Sequence, residues 1–271
     1  GSCRIPAAFN GVVGYKPTAS RVPTAGVVPL STSLDSIGPL ARTVACCAAF
    51  DAVMAGEPVA TLQPRPLDGL RFFVPETTVL DGLDEHVAAD FDRTLSLLSK
   101  AGAHIKRGKF APFERIPDLL RKGGLSAAES HAWHRNLITT KRNQYDPRVL
   151  ARIMMGERQS SAEYIDLLNR RQDAIAAYTA EMDRWDAIIS PAIPVVAPRI
   201  ADVEVEEAYN RINMQVLRNT LMINIVDGCS ISLPMSRPDA PPTSLMVSGP
   251  AMADRRIFAL AAAIEGAIGA G

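Results

Sequence analysis

Apolar residues recur along the chain with two periods, and the two periods divide it into helices and strands. Across residues 84–100, Val87, Phe91, Leu95 and Leu98 return at the spacing that lines one helical face, and Gly102 stops the run. The same spacing predicts a longer helix from near Ser161, with Tyr164, Leu168, Ile175, Tyr178 and Met182 on one side. Thr43 is placed to cap a helix through the Ala-rich residues 44–55, which Gly56 ends. Ser126 with Glu129 three residues on is a capping-box pattern and predicts a helix opening there. Further helices are expected over 209–224 and 254–267. Between them, the short apolar runs 70–74, 104–106, 186–190, 229–233 and 244–247 read as buried strands.

Residues 1–40 follow neither period. They are rich in Gly, Pro, Ser and Thr, with apolar stretches only at 11–14 and 26–29, and predict an ordered, loop-rich segment with one short buried strand. Helices alternating with short apolar strands predict an α/β fold, a mixed β-sheet sandwiched between helices. No internal repeat and no long flexible linker divides the chain, so one domain is expected over 1–271.

Composition narrows the classes of partner. The 29 basic and 29 acidic side chains cancel, with neither sign in a long block, which excludes the clustered Lys and Arg that a nucleic-acid backbone requires. No apolar run approaches the roughly 18 residues of a membrane-spanning helix. Cys3, Cys46, Cys47 and Cys229 lack C-x-x-C spacing and read as reduced thiols of a cytoplasmic protein.

Several chemistries fail at the level of motif. Phosphate-binding G-x-x-x-x-G-K-[ST], dinucleotide-binding G-x-G-x-x-G and the G-x-S-x-G nucleophile elbow are all absent. His131, His134 and Glu129 lie close in sequence, but the spacing is not H-E-x-x-H and no third ligand is evident, so no metal is expected. Glu129 is assigned instead to the capping box, and Cys46 and Cys47 to packing along their helix.

The opening segment carries the chemical signal. Gly1-Ser2-Cys3-Arg4-Ile5-Pro6-Ala7-Ala8, running into Gly14-Tyr15-Lys16-Pro17-Thr18, closely resembles the amidase signature family, whose members carry Gly-Gly-Ser-x-Arg-x-Pro-Ala followed by Gly-x-Lys-Pro-Thr. The likeness continues through residues 33–44, 145–148, 185–191, 217–220 and 248–250, and so spans essentially the whole chain. It implies the amidase signature fold, incomplete at the N-terminus, with the chain as the C-terminal part of one domain. The Gly-Ser start falls in register with the family's nucleophile segment and is read as native sequence.

What the resemblance implies about chemistry is specific. Ser2 matches the nucleophile, Gly1 and Ser2 belong to the turn whose backbone N–H groups form the oxyanion hole, and Arg4 matches an arginine bracing that loop. The proton acceptor in the family is a buried lysine, reached through a second serine, and both lie upstream of the nucleophile. Lys16 belongs to the Lys-Pro-Thr turn and is not put in their place, so these residues alone are expected to be inactive. The implied reaction is hydrolysis of a linear amide through an acyl-enzyme on Ser2, with no cofactor. The implied partner is a small-molecule amide, with no nucleic acid, no membrane and a homodimer left open. Two alternatives stand beside it: a non-catalytic subunit of the same fold, and the amidase-fold component of a glutamine-dependent transfer-RNA amidotransferase. Leu217 falls near where glutamine-using relatives place an acid, and residues 227–234 depart from the family's Gly-x-Pro-Ala.

Overall fold

The computed structural model describes residues 1–269. In chain order the elements are α1 (Arg4–Phe9), β1 (Val13–Lys16), β2 (Leu40–Ala41), α2 (Val44–Met54), β3 (Arg71–Pro75), α3 (Glu85–Lys100) and β4 (His104–Gly108). Four helices follow, α4 (Ala111–Glu114), α5 (Ile116–Leu119), α6 (Gly124–Lys141) and α7 (Pro147–Met154). The chain then runs through α8 (Ser161–Met182), β5 (Ala187–Pro191), α9 (Glu206–Ile225), β6 (Cys229–Pro234), β7 (Ser244–Gly249) and α10 (Asp254–Gly269).

The strands form one seven-stranded sheet in the order β2-β1-β6-β7-β5-β3-β4. The pairings of β3 with β4 and β5 are parallel, and the remaining ones are antiparallel, so the sheet is mixed as expected. Successive side chains on a strand face opposite ways, and this parity builds two cores. Phe72, Val74, Ile189, Ile231 and Leu233 join Phe91, Leu95 and Leu98 of α3 and Ile257 and Phe258 of α10 on one face. Phe73, Ile188 and Met246 join Ala8 of α1, Ile116 of α5, Tyr178 of α8 and Met222 of α9 on the other. Each Val, Leu, Ile, Phe or Met among them contributes about 1.5–3 kcal/mol on burial. No helix among the described residues is long and apolar enough to cross a membrane.

Three local expectations are corrected. The loop-rich opening contains a helix, α1, besides its strand. Ser126 does not open α6: the helix starts at Gly124, whose φ of +59° suits glycine, and Ser126 lies inside the first turn. The capping box belongs to Ser160 and Glu163 at the head of α8. Cys46 and Cys47 also part company, with Cys47 buried on the sheet and Cys46 exposed. Thr43 does cap α2, accepting from Cys46 N at 3.2 Å.

Candidate active site at the head of helix α1

Gly1, Ser2 and Cys3 form a turn that winds directly into α1, with Ile5 N donating to Gly1 O at 2.9 Å and Ala7 N to Cys3 O at 3.3 Å. The helix lies flat on β1 because Gly14 has no side chain. A Cβ at Gly14 would stand 2.5 Å from Ala7 Cβ and 2.6 Å from Cys3 O. Ser2 is exposed in this chain and precedes two anchored residues, Cys3 and Arg4. Cys3 Sγ contacts Gly38 O at 3.3 Å.

Arg4 points the other way, into the sheet, and is fully buried. Its guanidinium donates to Ser230 Oγ at 2.6 Å, to Thr220 O at 3.0 Å and to Asn224 Oδ1 at 2.7 Å, so one side chain ties α1 to β6 and α9. None of those acceptors is charged. Burial therefore lowers the pKa of Arg4 to about 10, which still leaves it protonated at neutral pH. Ser230 and Ser232 reach this face because their neighbours Ile231 and Leu233 fill the opposite core.

Helix α9 flanks the turn. A Cβ on Gly1 would meet Leu217 Cδ2 at 3.2 Å and Thr220 Oγ1 at 3.7 Å. Next to them, Asn219 donates to both Val79 O and Pro191 O at 2.9 Å, fixing α9 to the loop that leaves β3 and to the end of β5. Farther up α9, the guanidinium carbons of Arg148 and Arg152 lie 4.3 and 5.7 Å from the centroid of the Tyr209 ring.

Lys16 ends β1 and is buried, and its Nζ donates to Pro17 O at 2.6 Å. Burial, assisted by the positive charge of Arg4, pushes its pKa down to about 8. His134 Nδ1 pairs with Tyr145 Oη at 2.8 Å, while Glu129 faces Ser31, Ser33 and Tyr164. The three residues weighed as a metal set therefore do not converge.

Sequence reasoning picked out Gly1, Ser2 and Arg4, and the structure places Gly1 and Ser2 at one turn and Arg4 at the first residue of the helix that follows it. It missed Asn224 and Ser230 as partners of Arg4. The available signal was the alternation of serines with apolar residues over 229–233.

The site thus sets a serine beside a buried arginine that reaches the central strands of a mixed sheet faced by helices. The sequence model of the Amidase family matches residues 1–258, and the chain belongs to that family. It is 35% identical over 274 residues to the 2-amino-5-chloromuconic acid deaminase of Comamonas testosteroni, covering 100% of this chain and 59% of that protein. It is 30% identical to a glutamyl-tRNA(Gln) amidotransferase component of Thermotoga maritima, covering 98% of this chain and 62% of the relative. A crystal structure of an amidase superposes with a TM-score of 0.84 at 27% identity, covering 98% of this chain and 60% of that one. The chain thus spans about three fifths of the length of the relatives it matches.

Proposed function

We propose that this chain is the C-terminal part of a single amidase domain and that Ser2 is its nucleophile. Ser2 Oγ attacks the carbonyl carbon of a linear amide and gives its proton to a base. The carbon–nitrogen bond then breaks, the nitrogen leaves carrying a proton, and water hydrolyses the acyl ester on Ser2 to the carboxylate. The backbone N–H groups of the Gly1–Ser2 turn stabilise the oxyanion. The base is the lysine, relayed by a second serine, that the family resemblance puts before Gly1. Arg4 acts by holding the turn.

One observation carries the reading: Ser2 lies on a turn whose next two residues are anchored, Cys3 to Gly38 and Arg4 to three separate polar groups. Such a turn holds a nucleophile in place.

Leu217 supports an acyl group with no ammonium at this position, because an apolar side chain beside Gly1 offers a cation no partner. This counts against glutamine and the amidotransferase reading, although an amidotransferase component is among the relatives. The deaminase relative is named for an acid. Arg148 and Arg152 of α7 sit over Tyr209, which lies about 12 Å up α9 from Leu217 at roughly 1.5 Å per residue, and offer positive charge to such a substrate.

The test is made on the whole protein. A fluorophosphonate should add its mass to the peptide that contains Ser2, and Ser2→Ala should abolish the adduct and lower kcat by on the order of a thousandfold or more. An amide panel including unsaturated amino acids of the muconic type then sorts substrates. Undiminished turnover by Ser2→Ala overturns the proposal.

A further inference from the structure

We propose that Glu129 is a positioning residue: its carboxylate fastens residues 31–39 as a strap to the helical layer and so fixes the turn that carries Ser2. The proposal rests on the reading of Ser2 given above.

Glu129 sits on α6 and accepts hydrogen bonds from two other segments. Its Oε2 accepts from Ser31 Oγ and, at 3.1 Å, from Ser33 N. Its Oε1 accepts from Ser33 Oγ and, at 2.8 Å, from Tyr164 Oη of α8. Every partner is a donor, and both oxygens are doubly occupied. An ionised carboxylate accepts from all four at once, whereas a protonated acid or an amide keeps an acceptor for Ser33 N but forces hydroxyls on its other side to turn and accept, and gives up the charge. Among the described residues no Lys or Arg forms an ion pair with it, so neutral donors hold the charge, and such bonds are stronger than neutral ones. Burial raises the Glu129 pKa, but the bonds from Ser31, Ser33 and Tyr164 together outweigh it and leave the group below its ordinary value.

The strap is a closed unit that transmits this anchor. Ser31 O accepts from Leu34 N and Asp35 N, while the Asp35 carboxylate accepts from Leu30 N and Ser31 N. Leu34 packs on the same core as Ala8, Ile5 and Phe9 of α1. A few residues on, Gly38 O receives Cys3 Sγ, and Pro39 O receives Tyr15 N at 2.9 Å. Contact there is close, since a Cβ on Gly38 would stand 1.9 Å from Tyr15 O. One end of the strap is thus bound by Glu129, and the other touches the residue next to Ser2. Releasing the first end frees the second.

The experiment compares Glu129→Gln, Ser33→Ala and the double variant in the whole protein. The readouts are the rate of fluorophosphonate labelling at Ser2, kcat and KM, the urea unfolding midpoint, and hydrogen exchange over 31–39. Glu129→Gln is expected to lower kcat and the labelling rate by about 10- to 100-fold, the scale of a displacement of roughly 1 Å at a reacting group. KM should change little, and exchange over the strap should quicken. Ser33→Ala should do the same in smaller degree, and the double variant should fall no further than Glu129→Gln. If Glu129→Gln does not fold, Ser33→Ala, which deletes a single hydroxyl, carries the test. A labelling rate of the folded fraction equal to wild type, with only the midpoint lowered, overturns the proposal, as does unchanged exchange. Failure of the wild-type protein to label at Ser2 instead overturns the nucleophile assignment, and exchange over 31–39 then judges the strap by itself.

Discussion

Adding one methyl group at Gly14 asks whether the sheet beneath α1 sets the position of Ser2. The new Cβ would lie 2.5 Å from Ala7 Cβ, 2.6 Å from Cys3 O and 3.1 Å from Ser232 Oγ. Carbon atoms settle at about 3.5–4 Å, so α1 must rise from the strand by roughly 1 Å. The obstacles are a backbone carbonyl and a Cβ, neither of which can rotate aside. Overpacking of this kind costs about 1–3 kcal/mol, set against about 0.4–1 kcal/mol returned by the stiffer unfolded chain. A net loss of about 1–2 kcal/mol follows. Catalysis should suffer more, since Ser2 rides on the displaced helix and a shift of about 1 Å costs on the order of 100-fold. Gly266 is the control: it lies in α10 with no described residue near its would-be Cβ, so its change to alanine should stabilise by up to about 1 kcal/mol. Urea unfolding and the rate of phosphonate labelling at Ser2 read the two effects. Wild-type labelling by Gly14→Ala would refute the view that β1 positions the nucleophile.

Two further outcomes concern the anchors around β1. Lys16 falls from its ordinary 10.5 to about 8 through burial and the neighbouring charge of Arg4. The folded protein releases this proton near pH 8 and the unfolded chain near 10.5, so between those values the unfolded chain binds the extra proton. Stability should therefore rise with pH across that window, by on the order of 3 kcal/mol, and Lys16→Met should flatten the rise in unfolding midpoints followed by pH; an unaltered slope refutes it. Asp254 accepts from Tyr15 Oη at 2.6 Å, Thr18 N at 2.9 Å and Thr18 Oγ1 at 2.6 Å, all buried. Asp254→Asn turns an N–H toward one of these donors and should cost about 1–3 kcal/mol, which urea unfolding would contradict if the midpoint did not move.

How much of this was legible differs from element to element for physical reasons. Helix α3 was readable because its burial is dictated by its own sequence: Val87, Phe91, Leu95 and Leu98 are all on the sheet. Helix α1 was not, because its stability is entirely tertiary. It has six residues and no side-chain cap, and Pro6 within it reads as a loop. What makes it a helix is the flat seat at Gly14 and the reach of Arg4 to residues more than two hundred positions away. The pattern S-x-x-E occurs at both Ser126 and Ser160, and nothing local separates them. Only at Ser160 does the box close, because at Ser126 the glutamate is claimed by Ser31, Ser33 and Tyr164.

Arg4 shows the same division inside the site. The motif marks it, but only the fold explains why a guanidinium stands there with no carboxylate paired to it among the described residues. Keeping a charge in the interior is costly, and the fall of its pKa to about 10 measures part of that cost. The compensation is geometric. One planar fork reaches a hydroxyl of β6, a backbone carbonyl of α9 and an amide oxygen of α9 together. A lysine, with a compact point charge on a flexible stem, could not span those three directions. The turn that carries Ser2 is therefore fixed from below by a cation held entirely by neutral acceptors and from the side by the strap. A loss at either anchor should reach the nucleophile before it reaches the rest of the sheet.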